Sequence, residues 1–194
     1  MSLFGGKGNA CVLKVDLQWL IDKMMDAGVR VFKIEGRARS AEYVWRTVAC
    51  YRKAADEVIA GTYSPERGAE LKKELAEVFN RGFWDGYYQG ARLGEWSNVY
   101  GSHATRTKVN LGRISNWFGK LGVAEVQLES SDLSVGDEVM IIGPTSGVNQ
   151  FKVSEIRLDL EPVPTAPKGS VVSIPVPCDE NHPRRGDKIY LWRD

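Results

Sequence analysis

The apolar residues change period once along this chain, and that change bounds the folds open to it. Up to Phe79 they recur at helical spacing; from Lys108 onward they fall into short runs with strand spacing. Asp16 is a good N-cap for a first helix whose face carries Leu17, Leu20, Ile21, Met24 and Met25, with Gly28 placed to end it. Ser40 caps a second helix with a stripe of Val44, Val48, Tyr51, Ala55 and Val58, and Gly61 stops it. Ser64 and Pro65 start a third, with Glu66 near its positive end and a stripe of Leu71, Leu75, Val78 and Phe79. Between the first two helices, Val29 to Ile34 reads as a short buried strand reached after almost no loop. Helix, strand, helix is an α/β signature.

The second half is read differently. Residues 108–114, 122–129, 137–143, 150–158, 169–176 and 188–193 are six strand candidates, separated by glycine, proline and aspartate turns. Gly136-Asp137 and Gly186-Asp187 are two versions of one device, a turn that feeds an apolar strand. So many short strands predict a small closed barrel, because closure removes exposed edges. The expected fold is mixed α+β: an N-terminal α/β part over residues 1–103, then a six-stranded β-barrel over 104–194. Joining them, residues 79–102 hold six aromatics after Phe79 and five glycines, which predicts a loop packed by its own rings.

Composition excludes several classes of function. The 194 residues are 43% hydrophobic and 26% charged, with a net charge of +1, which is ordinary for a globular chain. Neither half is basic enough to argue for nucleic acid on bulk charge, so such contact would need a local patch. Arg106, Lys108, Arg113 and Lys120, near the start of the barrel, are the candidates for one. Cys11, Cys50 and Cys178 are odd in number and scattered, with no C-x-x-C, which argues against a disulfide framework and a closed zinc site. Iron–sulfur ligation needs about four thiolates. Cys50 is read as a packing residue, and His103 and His182 are isolated. Arg185-Gly186-Asp187 is read as a turn whose likeness to an adhesion tripeptide is chance. A reducing, cytoplasmic setting is expected, and no apolar run approaches the roughly 20 residues that span a bilayer.

Two stretches are candidate sites. Arg30, Lys33, Glu35, Arg37 and Arg39 crowd around the end of the predicted strand. Ligands collect at the C-terminal ends of parallel strands, so this cluster is either the rim of a site or an ion-pair group closing a turn. Lys33 alternates with Phe32 and Ile34 and faces away from them. In the ring-rich loop, Arg81 and Arg92 among aromatics fit stacking of bases or binding of an acidic partner, or else the rings hold the two domains together.

Residues 14–54 and the stretch "FNRGFWDGYYQG" resemble the C-terminal part of peptidase family U32, collagenase-like proteins long described as proteases. The likeness is close at Asp16-Leu17, Ala27-Gly28-Val29, Lys33 to Arg37, Tyr43-Val44, Tyr51-Arg52 and Arg81 to Tyr87. The remainder looks like that family's small barrel, itself similar to the second domain of elongation factor Tu. The resemblance implies a full-length parent with a TIM-like barrel, in which Lys33 to Arg37 close one of the last strands and Glu35 and Arg37 stand at the mouth. It implies that some relatives hydroxylate RNA bases or quinones, and that an iron–sulfur cluster belongs to the parent, with no cofactor held by this chain. About 250 residues are typical of such a barrel, so most of it is expected to lie elsewhere. Gln18 also stands where many relatives have cysteine.

Three functions follow as expectations. The first is an RNA- or quinone-hydroxylating parent, with Glu35 as the catalytic residue and Lys33, Arg37, Arg39 and Arg81 binding an anionic substrate. The second is a non-catalytic module that binds structured RNA or protein through the barrel. The third is a peptidase. Expected partners are structured RNA, the rest of the parent barrel, and a second copy through the truncated sheet, but no membrane.

Overall fold

The structure, a computed structural model, describes residues 14–15, 17–34, 36–80, 82–84, 102–178 and 181–194. It divides into two compact units, Met1–Thr105 and Arg106–Asp194. No helix among the described residues is long and apolar enough to cross a membrane.

The first unit runs β1 (Lys14–Val15), α1 (Leu17–Asp26), α2 (Ala41–Ala60), α3 (Pro65–Ala76) and β2 (Phe83–Trp84). Its helices end as their sequences dictate. Gly28 adopts φ 93°, with its N–H on the Met25 carbonyl and the Val29 N–H on Met24, a double bond pattern that satisfies two orphan carbonyls of α1. Gly61 does the same for α2 at φ 71°. Ser64 Oγ accepts from the Arg67 N–H at 3.2 Å, and Pro65 takes the first helical position of α3, where no backbone donor is missed.

The three helices meet around Ile21, Cys50, Tyr51, Ala54, Leu71 and Leu75. Truncating one of the large side chains here would cost about 2–5 kcal/mol. The buried face of α2 is rotated from the one expected: Tyr43, Thr47, Cys50, Tyr51 and Ala54 are buried, whereas Val48 is 47% exposed. The small residues Thr47, Cys50 and Ala54 allow close helix approach, and packing outweighs the bulk of one valine.

The expected strand at Val29–Ile34 is not formed. Phe32 and Ile34 do pack on the helical core while Val31 and Lys33 are exposed, so the alternation is real. A strand, however, exists only in a ladder, and no neighbouring strand among the described residues pairs with this stretch. The parallel pairing of this unit is β1 with β2, Lys14 opposite Phe83 and Val15 opposite Trp84.

The second unit is all β: β3 (Thr107–Phe118), β4 (Val123–Leu128), β5 (Leu133–Ser134), β6 (Glu138–Gly143), β7 (Gly147–Lys152), β8 (Arg157–Leu158), β9 (Glu161–Pro162), β10 (Thr165–Ala166), β11 (Val171–Pro175) and β12 (Lys188–Arg193). Eight strands form one antiparallel sheet in the order β7-β6-β12-β3-β4-β11-β8-β9, and β5 pairs with β10 separately. The closed six-stranded barrel is therefore corrected to an open, strongly bent sheet. Residues 153–156 carry the chain from β7, at one edge, to β8, the neighbour of β9 at the other edge. The Val153 N–H on the Asp137 carbonyl prolongs the β6–β7 ladder, and the Val163 N–H on the Ile156 carbonyl prolongs the β8–β9 ladder; β7 and β9 are not paired with each other. One apolar cluster fills the bend, with Leu111, Leu128, Val139, Leu133, Ile174 and Leu191 at its centre.

Candidate functional site

The turn before α2 is shaped by two local requirements. A side chain on Gly36 would come within 2.9 Å of Val44 Cγ2, so only glycine lets this backbone lie against the first turn of α2. Ala38 adopts φ 57°, which costs about 1–2 kcal/mol for a residue with a Cβ, and the Arg39 N–H closes the turn on the Gly36 carbonyl at 3.0 Å. Arg39 is thereby aimed at two rings: its guanidinium carbon lies 4.3 Å from the centroid of Phe79 and 5.6 Å from that of Tyr43. A guanidinium stacked on rings keeps its fork of N–H donors for a carboxylate or phosphate. Burial pushes the Tyr43 hydroxyl upward, opposed in part by the Arg39 charge and a Thr47 hydrogen bond, and the net shift is upward. Arg37 and Lys33 are exposed. Glu35 and Arg81 lie outside the described residues.

Asn80, which the sequence did not single out, is the knot that holds the far side of this turn. Its side-chain amide donates to the Ala76 and Val78 carbonyls at 3.1 and 3.0 Å, and its Oδ1 accepts from the Gly82 N–H at 3.3 Å. Its backbone carbonyl takes the His103 N–H at 2.7 Å, and its N–H reaches Ser102 Oγ. A buried asparagine so fully engaged fixes Phe79, and with it the surface against which Arg39 rests. Most of the ring-rich stretch beyond it, including Arg92, lies outside the described residues.

The two thiols among the described residues, Cys50 and Cys178, lie in different units. Cys50 is fully buried, with Sγ 3.9 Å from the Glu74 carboxylate that also takes Lys53 Nζ at 2.9 Å. Cys178 is half-buried against the core of the other unit, and Cys11 lies outside the described residues. No three potential metal ligands come together among the described residues. Cys50 and Cys178 alone do not supply the roughly four thiolates that iron–sulfur ligation needs.

The four basic candidates of the β unit have different surroundings. Arg106 is tied into its own unit, donating to Glu138 at 2.7 Å, Asp194 at 2.9 Å and the Trp192 carbonyl at 3.2 Å. Lys108 Nζ lies 4.9 Å from the Tyr190 ring centroid. Arg113 meets Glu129 at 2.9 Å on the surface, and Lys120 is exposed in the turn between β3 and β4.

Residues 13–98 match the sequence model of peptidase family U32. A collagenase of Porphyromonas gingivalis is 54% identical over 172 residues, covering 89% of this chain and 41% of the relative. Over residues 13–98 the chain is a peptidase family U32 segment. An uncharacterised protease of Methanocaldococcus jannaschii is 36% identical, covering 84% of this chain and 40% of its own length. A tRNA hydroxylation protein of Haemophilus influenzae is 31% identical, covering 70% of this chain and 29% of its own. The chain thus spans about two-fifths of the length of the collagenase and of the Methanocaldococcus protease, and less of the tRNA hydroxylation protein.

The Gly36–Arg39 turn and Asn80 both fall inside the U32 segment, whereas Arg106, Lys108, Arg113 and Lys120 lie beyond it. In the β unit the two Gly-Asp devices are the same turn. Gly136 and Gly186 both have φ 92°, and each following aspartate accepts from the backbone three residues earlier, Asp137 from Ser134 at 2.9 Å and Asp187 from Arg184 at 2.8 Å. Asp187 also accepts from Ser146 Oγ at 2.5 Å and is only 5% exposed, so Arg185-Gly186-Asp187 does not present its carboxylate to a receptor.

Proposed function

We propose that this chain is the substrate-binding part of a U32 enzyme that hydroxylates RNA, with the Gly36–Arg39 turn holding a phosphate or other anionic group. The observation that carries this reading is the placement of Arg39, stacked against Phe79 and Tyr43 beside the exposed Arg37. Two cations at a turn braced by rings suit an oxyanion that must be held in one orientation. Relatives named tRNA hydroxylation protein support RNA as the substrate class. Glu35 follows directly on Ile34, next to this turn, and in this reading positions the substrate or moves a proton. The catalytic remainder of the parent contributes the other groups.

The test is nucleoside mass analysis of tRNA from cells lacking the full-length parent. Loss of a nucleoside one oxygen heavier than its precursor, its return with the wild-type gene, and its absence with Arg39→Ala at normal protein level are the expected results. An unchanged nucleoside profile would overturn the reading.

A second reading is peptide cleavage by the parent, favoured by the 54% identity to a protein named collagenase. Gelatin cleavage by purified parent that disappears on changing one named side chain would be required of it. Cys50, fully buried, is not available as its nucleophile.

A further inference from the structure

We infer that a strip on the β unit, made by Trp117, His182, Arg184, Arg185, Lys188 and Arg113, docks a single-stranded stretch of RNA; this rests on the RNA reading above and names a second contact for the same substrate. The strip is built by strand pairing across residues far apart in sequence. Antiparallel pairing of β12 with β3 sets Lys188 opposite Arg113. Before β12 begins, the chain stays bound to β3, with the Gly186 N–H on the Ile114 carbonyl at 2.9 Å and the Ile114 N–H on the Asp187 carbonyl at 2.8 Å. Further back, His182 stacks on Trp117, with ring centroids 5.9 Å apart and planes 15° apart. Residues 182–188 therefore run beside residues 113–117, rings at one end and cations at the other.

Its charges are arranged for an outside partner. Arg113, Arg184, Arg185 and Lys188 are all exposed. Like charges directly opposite across a ladder repel. Glu129 offsets Arg113, but no carboxylate among the described residues pairs with Arg184, Arg185 or Lys188. The backbone carrying these arginines is held firmly, because buried Asp187 caps their turn and is itself anchored by Ser146. Lys120, with exposed Phe118 and Leu121, continues the strip onto the turn between β3 and β4. An acidic protein would use the cations and leave the stacked rings idle. An unpaired nucleotide uses both, its base against the half-buried ring pair and its phosphates on the cations.

The experiment measures binding of the full chain to a fluorescein-labelled oligouridylate by anisotropy over a series of salt concentrations, with polyglutamate of similar charge as competitor. The variant Arg184→Glu, Arg185→Glu, Lys188→Glu is expected to bind at least about tenfold more weakly and to lower the slope of log affinity against log salt by about 0.7 per lost phosphate contact. His182→Ala is expected to weaken binding about fivefold with the slope unchanged, since stacking releases no counterions. Native affinity in the charge-reversed variant, with a native circular dichroism melt, would overturn the inference. So would polyglutamate competing as well as unlabelled oligouridylate, which would assign the strip to an acidic protein. If the parent hydroxylates tRNA while these variants bind normally, only the docking strip fails. If the strip binds as described but no tRNA nucleoside depends on the parent, only the hydroxylation reading fails.

Discussion

The guanidinium of Arg39 lies 4.3 Å from the centre of the Phe79 ring, joining the turn before α2 to the chain just after α3. The contact couples a proposed binding group to the helical scaffold. Arg39→Ala and Phe79→Leu should each destabilise the first unit by about 0.5–2 kcal/mol. Their effects should not add, and urea unfolding of the double variant should show a coupling of about 0.5 kcal/mol or more. Strict additivity would mean that the ring does not hold the arginine.

The two Gly-Asp turns predict a graded response. Asp187 is buried and holds both Arg184 and Ser146, whereas Asp137 is half-buried and its side chain holds Ser134. Asp187→Ala should cost about 1–3 kcal/mol, and more than Asp137→Ala, in urea unfolding. Gly143→Ala should be at least as damaging, because the added Cβ would fall inside the Asp187 carboxylate and against Ser146 Oγ.

Acid should weaken the β unit through Glu138. Burial alone pushes this carboxyl upward, but hydrogen bonds from Arg106 and Gln150 and the charges of Arg106 and Lys152 prevail and hold it below its ordinary 4.5. A carboxyl lowered by folding contributes stability that is fully present above the unfolded value and lost as pH falls through the folded one. The urea midpoint of the wild type should therefore drop below about pH 4.5 more steeply than that of Glu138→Gln. Parallel curves for the two would count against the Arg106–Glu138 account.

How much of this was legible depends on what each signal requires. The helices were readable because their caps are local: Ser64, Pro65, Gly28 and Gly61 each act within one turn of themselves. β12 was readable because an apolar run behind a Gly-Asp turn needs no distant information. The strand at Val29–Ile34 was over-read, since alternation shows which side chains point inward but not whether a neighbour offers a ladder. β5, β9 and β10 escape a sequence reading because two-residue strands lie in stretches that look like turns, and β8 is read together with part of β7 as one strand over residues 150–158. Charge was the poorest guide. Arg106 and Arg113 look alike in sequence, yet one is bound to Glu138 and Asp194 and the other lies on the surface. The strip from Arg113 to His182 could not be read at all, because it arises only when β12 pairs with β3.

Cys50 should behave as packing. In a variant retaining it as the sole cysteine, labelling by a thiol reagent should proceed no faster than opening of the helical unit, because its Sγ is enclosed. Cys50→Ala should leave any hydrolytic activity of the parent unchanged. Rapid labelling in native buffer would contradict the burial.

The central claim is that this chain touches RNA, and cross-linking tests it most directly. Ultraviolet irradiation of the parent bound to tRNA, followed by mass spectrometry of nucleotide-bearing peptides, should place cross-links on peptides containing Arg37 to Tyr43 and on those containing Trp117 or His182. Cross-links confined to the parent's other regions, with both of these segments recovered unmodified, would contradict the account.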